Sequence, residues 1–171
     1  MKIRTTFSLL LLSLIITFIA TTQPSSAVMP DHGGSAFGQG GFSFFTDRAN
    51  EGWAYSFDAV ANKNGQARGR ATFDIGKNLN ATHVEVKINC LNVIGSAGFA
   101  TAIMSGTVLH SDDPQFSKRA TVIFAAEDNS NSPILRPDII TRLFVFEGDC
   151  HEGGEPLTFF NQNPDAIHIE P

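Results

Sequence analysis

The chain has 171 residues, 42% of them hydrophobic and 17% charged. That is the length of one domain of ordinary size, and the balance excludes wholesale disorder. The formal net charge is −5, and there is no Lys/Arg run, which excludes nucleic acid and anionic membrane surfaces as partners.

The N-terminus carries the layout of a secretory signal peptide. Lys2 and Arg4 form a short positive region, Phe7 to Ala20 an apolar stretch, and Ser25-Ser26-Ala27 places small residues at the −3 and −1 positions of a cleavage site. The apolar stretch is short for a bilayer span, which needs ~20 residues, and Val28 rather than Cys follows the site, so no lipid anchor is implied. Residues 1–27 therefore read as a removable leader, leaving ten basic against seventeen acidic residues in an exported chain with no stable membrane insertion. The compartment is secreted or periplasmic.

Residues 28–41 are rich in Gly, Ser and Pro (PDHGGSAFGQGG) and predict a flexible arm ahead of a single domain spanning 42–171. From there the chain alternates with a period of two. Trp53, Tyr55, Phe57 and Ala59 share one face. Asn62-Lys63-Asn64-Gly65 then supplies the positive φ angles of a tight turn. In the partner strand Ala67, Gly69, Ala71, Phe73 and Ile75 oppose Gln66, Arg68, Arg70, Thr72 and Asp74, the pattern of a half-buried antiparallel hairpin. Val84, Val86, Ile88 and Cys90 alternate with His83, Glu85, Lys87 and Asn89. Phe99 to Leu109 is a nearly continuous apolar run suited to a central strand. Further strands are predicted over Thr121–Ala126, Ile139–Phe146, Leu157–Phe160 and Ala166–Ile169. The prolines at 114, 133, 137, 156 and 164 fall between strands, where a missing N–H does no harm.

About eight short strands without a helical stripe predict an all-β, antiparallel β-sandwich, of Greek-key type because the loop lengths are irregular, with a small antiparallel barrel as the alternative. Thirteen phenylalanines remain after leader removal, enough to fill one core. Cys90 and Cys150 are the two cysteines. In an oxidising compartment such a pair reads first as one disulfide, closing a loop of about 60 residues and stabilising the fold by about 4 kcal/mol. Without CxxC spacing, a metal site is the weaker reading.

Three stretches also carry a resemblance: YSFDAVANKNGQARGRATF from Tyr55, VEVKINCLNVIGSAGFATAIMSG from Val84, and the acidic loop opening Glu127-Asp128-Asn129. Together they resemble a group of small exported bacterial proteins with the order FsFsA, nGsakGqatF, vkvdClnVvG, an Asp-Asn-Gly loop and a late Cys. The resemblance covers most of the mature chain and implies compartment and fold. Its motifs are turn and strand signatures, so it implies no activity. This chain departs from it by reading Asp128-Asn129-Ser130.

Three loops hold the residue types that chemistry uses. Asp128 to Asp138 offers two carboxylates, two Asn side chains and several carbonyls, the oxygen-rich surroundings of a hard cation, so Asp128 and Asp138 are candidate ligands for Ca²⁺. The EF-hand spacing is absent, and Asx-turn and capping chemistry accounts for the same composition. His110-Ser111-Asp112-Asp113 is a polar corner that fits a solvated turn, or a zinc or copper site, and His151-Glu152-Gly153-Gly154-Glu155 fits an exposed acidic turn, or a general acid/base cluster or metal corner. Arg68 and Arg70, with Gln66 and Thr72, line an outward strand face suited to an anionic or sugar ligand, or simply to solubility. No GxSxG, HExxH or phosphate loop is present. The leading expectation is a non-catalytic binding or structural module. The alternative is a small metal-dependent hydrolase, which needs several of His110, Asp112, Asp128, Asp138, His151 and Glu152 to meet in space.

Overall fold

In the computed structural model, residues 33–46, 49–62, 66–76, 81–132, 136–152, 159–163 and 166–171 are described. The leader, the Asn64-Gly65 turn, and Gly153 to Glu155 lie outside them. Among the described residues there are ten strands: β1 (Ser35–Thr46), β2 (Ala49–Ala61), β3 (Ala67–Ile75), β4 (Thr82–Ser96), β5 (Phe99–Ser111), β6 (Thr121–Asp128), β7 (Ile139–Thr141), β8 (Phe144–Val145), β9 (Phe159–Asn161) and β10 (Ile167–Glu170). All pairings are antiparallel, in one sheet of order β10-β1-β2-β3-β4-β5-β6-β7-β9, with β8 also pairing β6.

The fold is all-β, as the alternation predicts. The sheet curls into a half-barrel, a shape compatible with both the sandwich and the small barrel. Its first six strands follow one another as hairpins in an up-and-down order, and the long return comes at the end, where β10 lies beside β1. The irregular loops behind the Greek-key expectation are concentrated after β6.

The β2–β3 register joins Trp53 to Ile75 and Ala61 to Ala67, so the inward residues of both strands meet as read from the sequence. Trp53, Tyr55, Phe57, Ala71 and Phe73 are buried. Phe124 is the hub of the interior: its ring meets Phe73 edge-on at 5.1 Å and Phe57 at 5.8 Å, and Trp53 meets Phe73 at 6.1 Å. Edge-to-face pairs set the negative ring face against a positive ring edge, which fixes the packing as well as burying area.

Three expectations are corrected. The predicted arm is already strand from Ser35 onward. Its glycines are pairing partners of aromatic residues, Gly38 opposite Phe57 and Gly40 opposite Tyr55. A Cβ on Gly38 would stand 2.7 Å from the Phe57 ring, and one on Gly40 would stand 2.8 Å from the Tyr55 hydroxyl. The glycines leave the space that these rings fill, a form of aromatic rescue that composition alone does not reveal.

The second correction concerns β4. Register shifts between Glu85 and Val86 and between Ile88 and Cys90 mark irregularities in its ladder with β5. After the second, Leu91 opposes Met104 inside the barrel and Cys90 opposes Ser105 outside it. A bulge inserts one residue and turns the following side chains over, so Cys90 leaves the face of Val84, Val86 and Ile88. Third, the predicted strand Ile139–Phe146 is split. The Ala125 N–H donates to Thr141 Oγ1 (2.8 Å), and this hydroxyl donates to the Arg142 carbonyl (3.0 Å), so a side chain interrupts the ladder between β7 and β8.

The outer face also has a small core. Cys90, Ile103, Ile123, Ala125 and Cys150 pack there with Phe146. The segment after β7 crosses this face, which explains why β5 reads as apolar on both sides.

Candidate functional site

Asp128 ends β6 with its side chain on the barrel's inner side, and Asp138 precedes β7. They are 0% and 1% exposed. A carboxylate so placed must be compensated by hydrogen bonds. Asp128 Oδ1 accepts from Ser130 N (3.0 Å) and Ser130 Oγ (2.7 Å), and its Oδ2 accepts from Ile169 N (3.2 Å). Asp138 Oδ1 accepts from Asn129 N (2.9 Å), and its Oδ2 from Ile167 N (3.0 Å). Ile167 and Ile169 belong to β10, whose other edge pairs with β1. The two carboxylates therefore take the N–H groups that β10 turns away from β1, where among the described residues no strand receives them. This is a latch built from side chains.

The structure thus brings Asp128 and Asp138 together on one strand and engages all four of their oxygens. A Ca²⁺ ion there would compete with four backbone N–H groups. The rest of the loop is also structural. The Asn131 N–H donates to the carbonyl of Gly98 (2.7 Å) at the tip of the β4–β5 hairpin, where Gly98 has φ +73° and a Cβ would strike the Asn131 side chain. Ser130, in place of Gly, needs no left-handed backbone, because Arg119 is the one non-Gly residue with positive φ among the described residues.

Next to the latch, Tyr55 Oη donates to Gln162 Oε1 (3.1 Å), and Gln162 N donates to the Asp138 carbonyl (2.7 Å). Burial holds the Tyr55 hydroxyl well above its ordinary pKa, and the Asp138 charge adds to this. The sequence places Tyr55 inward but carries no signal that its hydroxyl would meet these partners.

The remaining candidates occupy other places. His110 Nε2 pairs with Asp112 Oδ1 at 3.1 Å, and both side chains are 60% exposed. Along β5, His110 is ten residues from Ala100, which opposes Asp128, roughly 30 Å at ~3.3 Å per residue. His151 and Glu152 lie on the outer face, exposed, in a turn whose N–H groups donate to Asp149 Oδ1 (2.8 and 3.3 Å). The six residues of the hydrolase reading fall in three separate places.

Cys90 and Cys150 form the disulfide, with Cα atoms 5.7 Å apart. Among the described residues the one cluster of three metal-ligand types is Cys90, Cys150 and His151, within 4.8 Å of one another. With both sulfurs bonded to each other, it offers no thiolate. Cys90 and His151, with Asp149, instead form one wall of an open depression of about 890 Å³ on the outer face. The end of the β2–β3 hairpin supplies the other wall, with Val60, Asn62, Gln66 and Arg68, and Asn89 at the β4 bulge also lines it. A volume of ~300–1,000 Å³ is that of a small-molecule site. Gln66 and Arg68 are the outward residues that the hairpin pattern singles out. Asn89 and His151 join them through the bulge and the disulfide, neither of which shows in the alternation.

Comparison with protein-family models, with characterised proteins and with solved structures finds no match for this chain. Among the described residues no helix is long and apolar enough to cross a membrane.

Proposed function

We propose that the protein is an exported β-scaffold that binds a small polar ligand without transforming it, at the cell envelope or outside it. The observation that carries this reading is the depression beside the disulfide. It has the volume of a ligand site and is lined by amide, guanidinium and imidazole groups together with Val60, Ala67 and the Asp149 carboxylate, whereas Asp128 and Asp138 are committed to the β10 latch and His110 and Asp112 lie far along β5. The disulfide fits an oxidising compartment, and Lys2 to Ala27 has the form of a leader for reaching one.

The test is a ¹⁵N-labelled sample of residues 28–171 titrated with soluble envelope saccharides and short peptides, with each ligand weighed by mass spectrometry afterwards. Binding is expected to move amides of Asn62, Gln66, Arg68 and Asn89 and to leave the ligand mass unchanged. Shifts confined to other surfaces, or a cleaved ligand, would overturn the reading.

A further inference from the structure

Resting on that reading of the depression, we propose that its ligand carries a carboxylate, held by Arg68 as the fixed cation of the site. Two outward arginines stand two residues apart on β3. Arg70 is taken: its Nε lies 3.1 Å from Glu85 Oε1. Arg68 has no carboxylate at salt-bridge distance among the described residues, and it is the one that lines the depression.

The other wall groups point to the same ligand chemistry. Asn62 Oδ1 accepts from Gln66 N (3.0 Å), and Gln66 Oε1 accepts from Asn62 Nδ2 (3.3 Å). Both carbonyl oxygens of that pair are engaged, leaving the Gln66 amide N–H₂ as a donor. Asp149 is the carboxylate in this wall, and its Oδ1 is turned to the N–H groups of His151 and Glu152. The groups left for a ligand are mostly donors, namely the Arg68 guanidinium, the Gln66 amide and the His151 imidazole, with Asn89 offering both an amide donor and an acceptor and Asp149 Oδ2 a further acceptor; the cation that fixes an acidic group is Arg68. A planar carboxylate matches the guanidinium fork with two parallel hydrogen bonds. The protein as a whole has a net charge of −5, so its overall field does not draw anions in, and recognition is local to the fork.

The probes are glucuronate, glucose as its neutral counterpart, and acetate as the bare carboxylate, each titrated into ¹⁵N-labelled residues 28–171. Glucuronate is expected to shift the amides of Gln66, Arg68 and Asn89 while glucose does not. The same shifts with acetate would assign the site to carboxylates at large, and their absence would assign it to acidic sugars. R68M should weaken glucuronate at least tenfold, R68K should recover part of that loss, and R70M should leave binding unchanged. Equal binding of glucose and glucuronate, or R68M binding like the parent, would overturn the carboxylate assignment and leave the binding module standing. If no probe, charged or neutral, moves these amides, the depression is not the ligand site and both readings fall together. Arg68 is exposed, and an unchanged spectrum away from β3 verifies that each variant folds.

Discussion

At the scale of single residues, buried polar groups decide more than the alternation pattern does. Tyr55 is the one tyrosine in the chain, so its ionisation is read directly by absorbance near 295 nm. Its folded pKa is raised by burial and by the Asp138 charge, and the unfolded value is ~10. The folded state holds this proton more tightly, so the contribution to stability is complete below pH ~10 and is lost as pH rises through the raised folded value. In native protein the phenolate band should stay silent past pH ~10 and appear together with loss of fold. Y55F should remove that part of the alkaline decline in melting temperature. A native phenolate signal centred near pH 10 would contradict the buried placement. Asp138 makes a second test. D138N retains the shape but sets an amide N–H₂ where a backbone N–H expects an acceptor, at a cost of about 2–3 kcal/mol. The change should appear as a lower urea midpoint with an unchanged slope. Because the four oxygens of Asp128 and Asp138 already accept hydrogen bonds, millimolar Ca²⁺ after EDTA should leave the melting temperature within about a degree. A metal that binds only the folded state would raise it by several degrees.

At the scale of elements, the β2–β3 hairpin was legible face by face, because a half-buried strand must alternate and Trp53, Tyr55, Phe57 and Phe73 do, while β5 and β6 were legible as strands but not by face. Three elements were not. β1 hides behind Gly38 and Gly40, whose role depends on rings in another strand. The β4 bulge leaves no mark on composition, yet it turns Cys90 to the outer face. Asp128 and Asp138 look like loop carboxylates because a sequence cannot show that β10 arrives to present its N–H groups. The outward arginines could be read, but the depression could not, since Asp149 and His151 reach its wall from a turn about 60 residues beyond Cys90. That disulfide ties the segment after β8 to the bulge and completes the small outer core. Removing it by a double Cys90→Ala, Cys150→Ala exchange should cost about 4 kcal/mol and lower the melting temperature on the order of 15 °C. Circular dichroism should still report β structure, because the main core lies on the other face. Binding at the depression should weaken more than stability alone predicts, since Asp149 and His151 lose their anchor. If binding survives in the folded double variant, the site does not depend on that wall.

At the scale of the whole molecule, the half-barrel is closed asymmetrically, and its weakest join can be located. From β1 to β6 each strand is bonded along its length to the next. β10 is four residues long, with a ladder to β1 on one side and the two carboxylates on the other. Its contribution is still large. Ile167 and Ile169 are buried in the main core, at ~1.5–3 kcal/mol for each side chain. With the hydrogen bonds at both edges, that is comparable to the whole stability of a typical domain, about 5–15 kcal/mol. Removing residues 166–171 would strip one edge of β1, leave Asp128 and Asp138 buried without their β10 donors, and expose backbone groups beside Phe37, which already lies half open to solvent. The expected result is a chain that is unfolded or self-associating, visible by sedimentation and by loss of the Trp53 signal of a buried indole. Adding a peptide of residues 166–171 in excess should restore the sedimentation of the full-length protein, because the groove between β1 and the two carboxylates is specific in register for Ile167 and Ile169. A truncated protein that sediments like the full-length chain with an unchanged melting temperature would show that the sheet needs no closing strand, and the two buried carboxylates would then need another explanation.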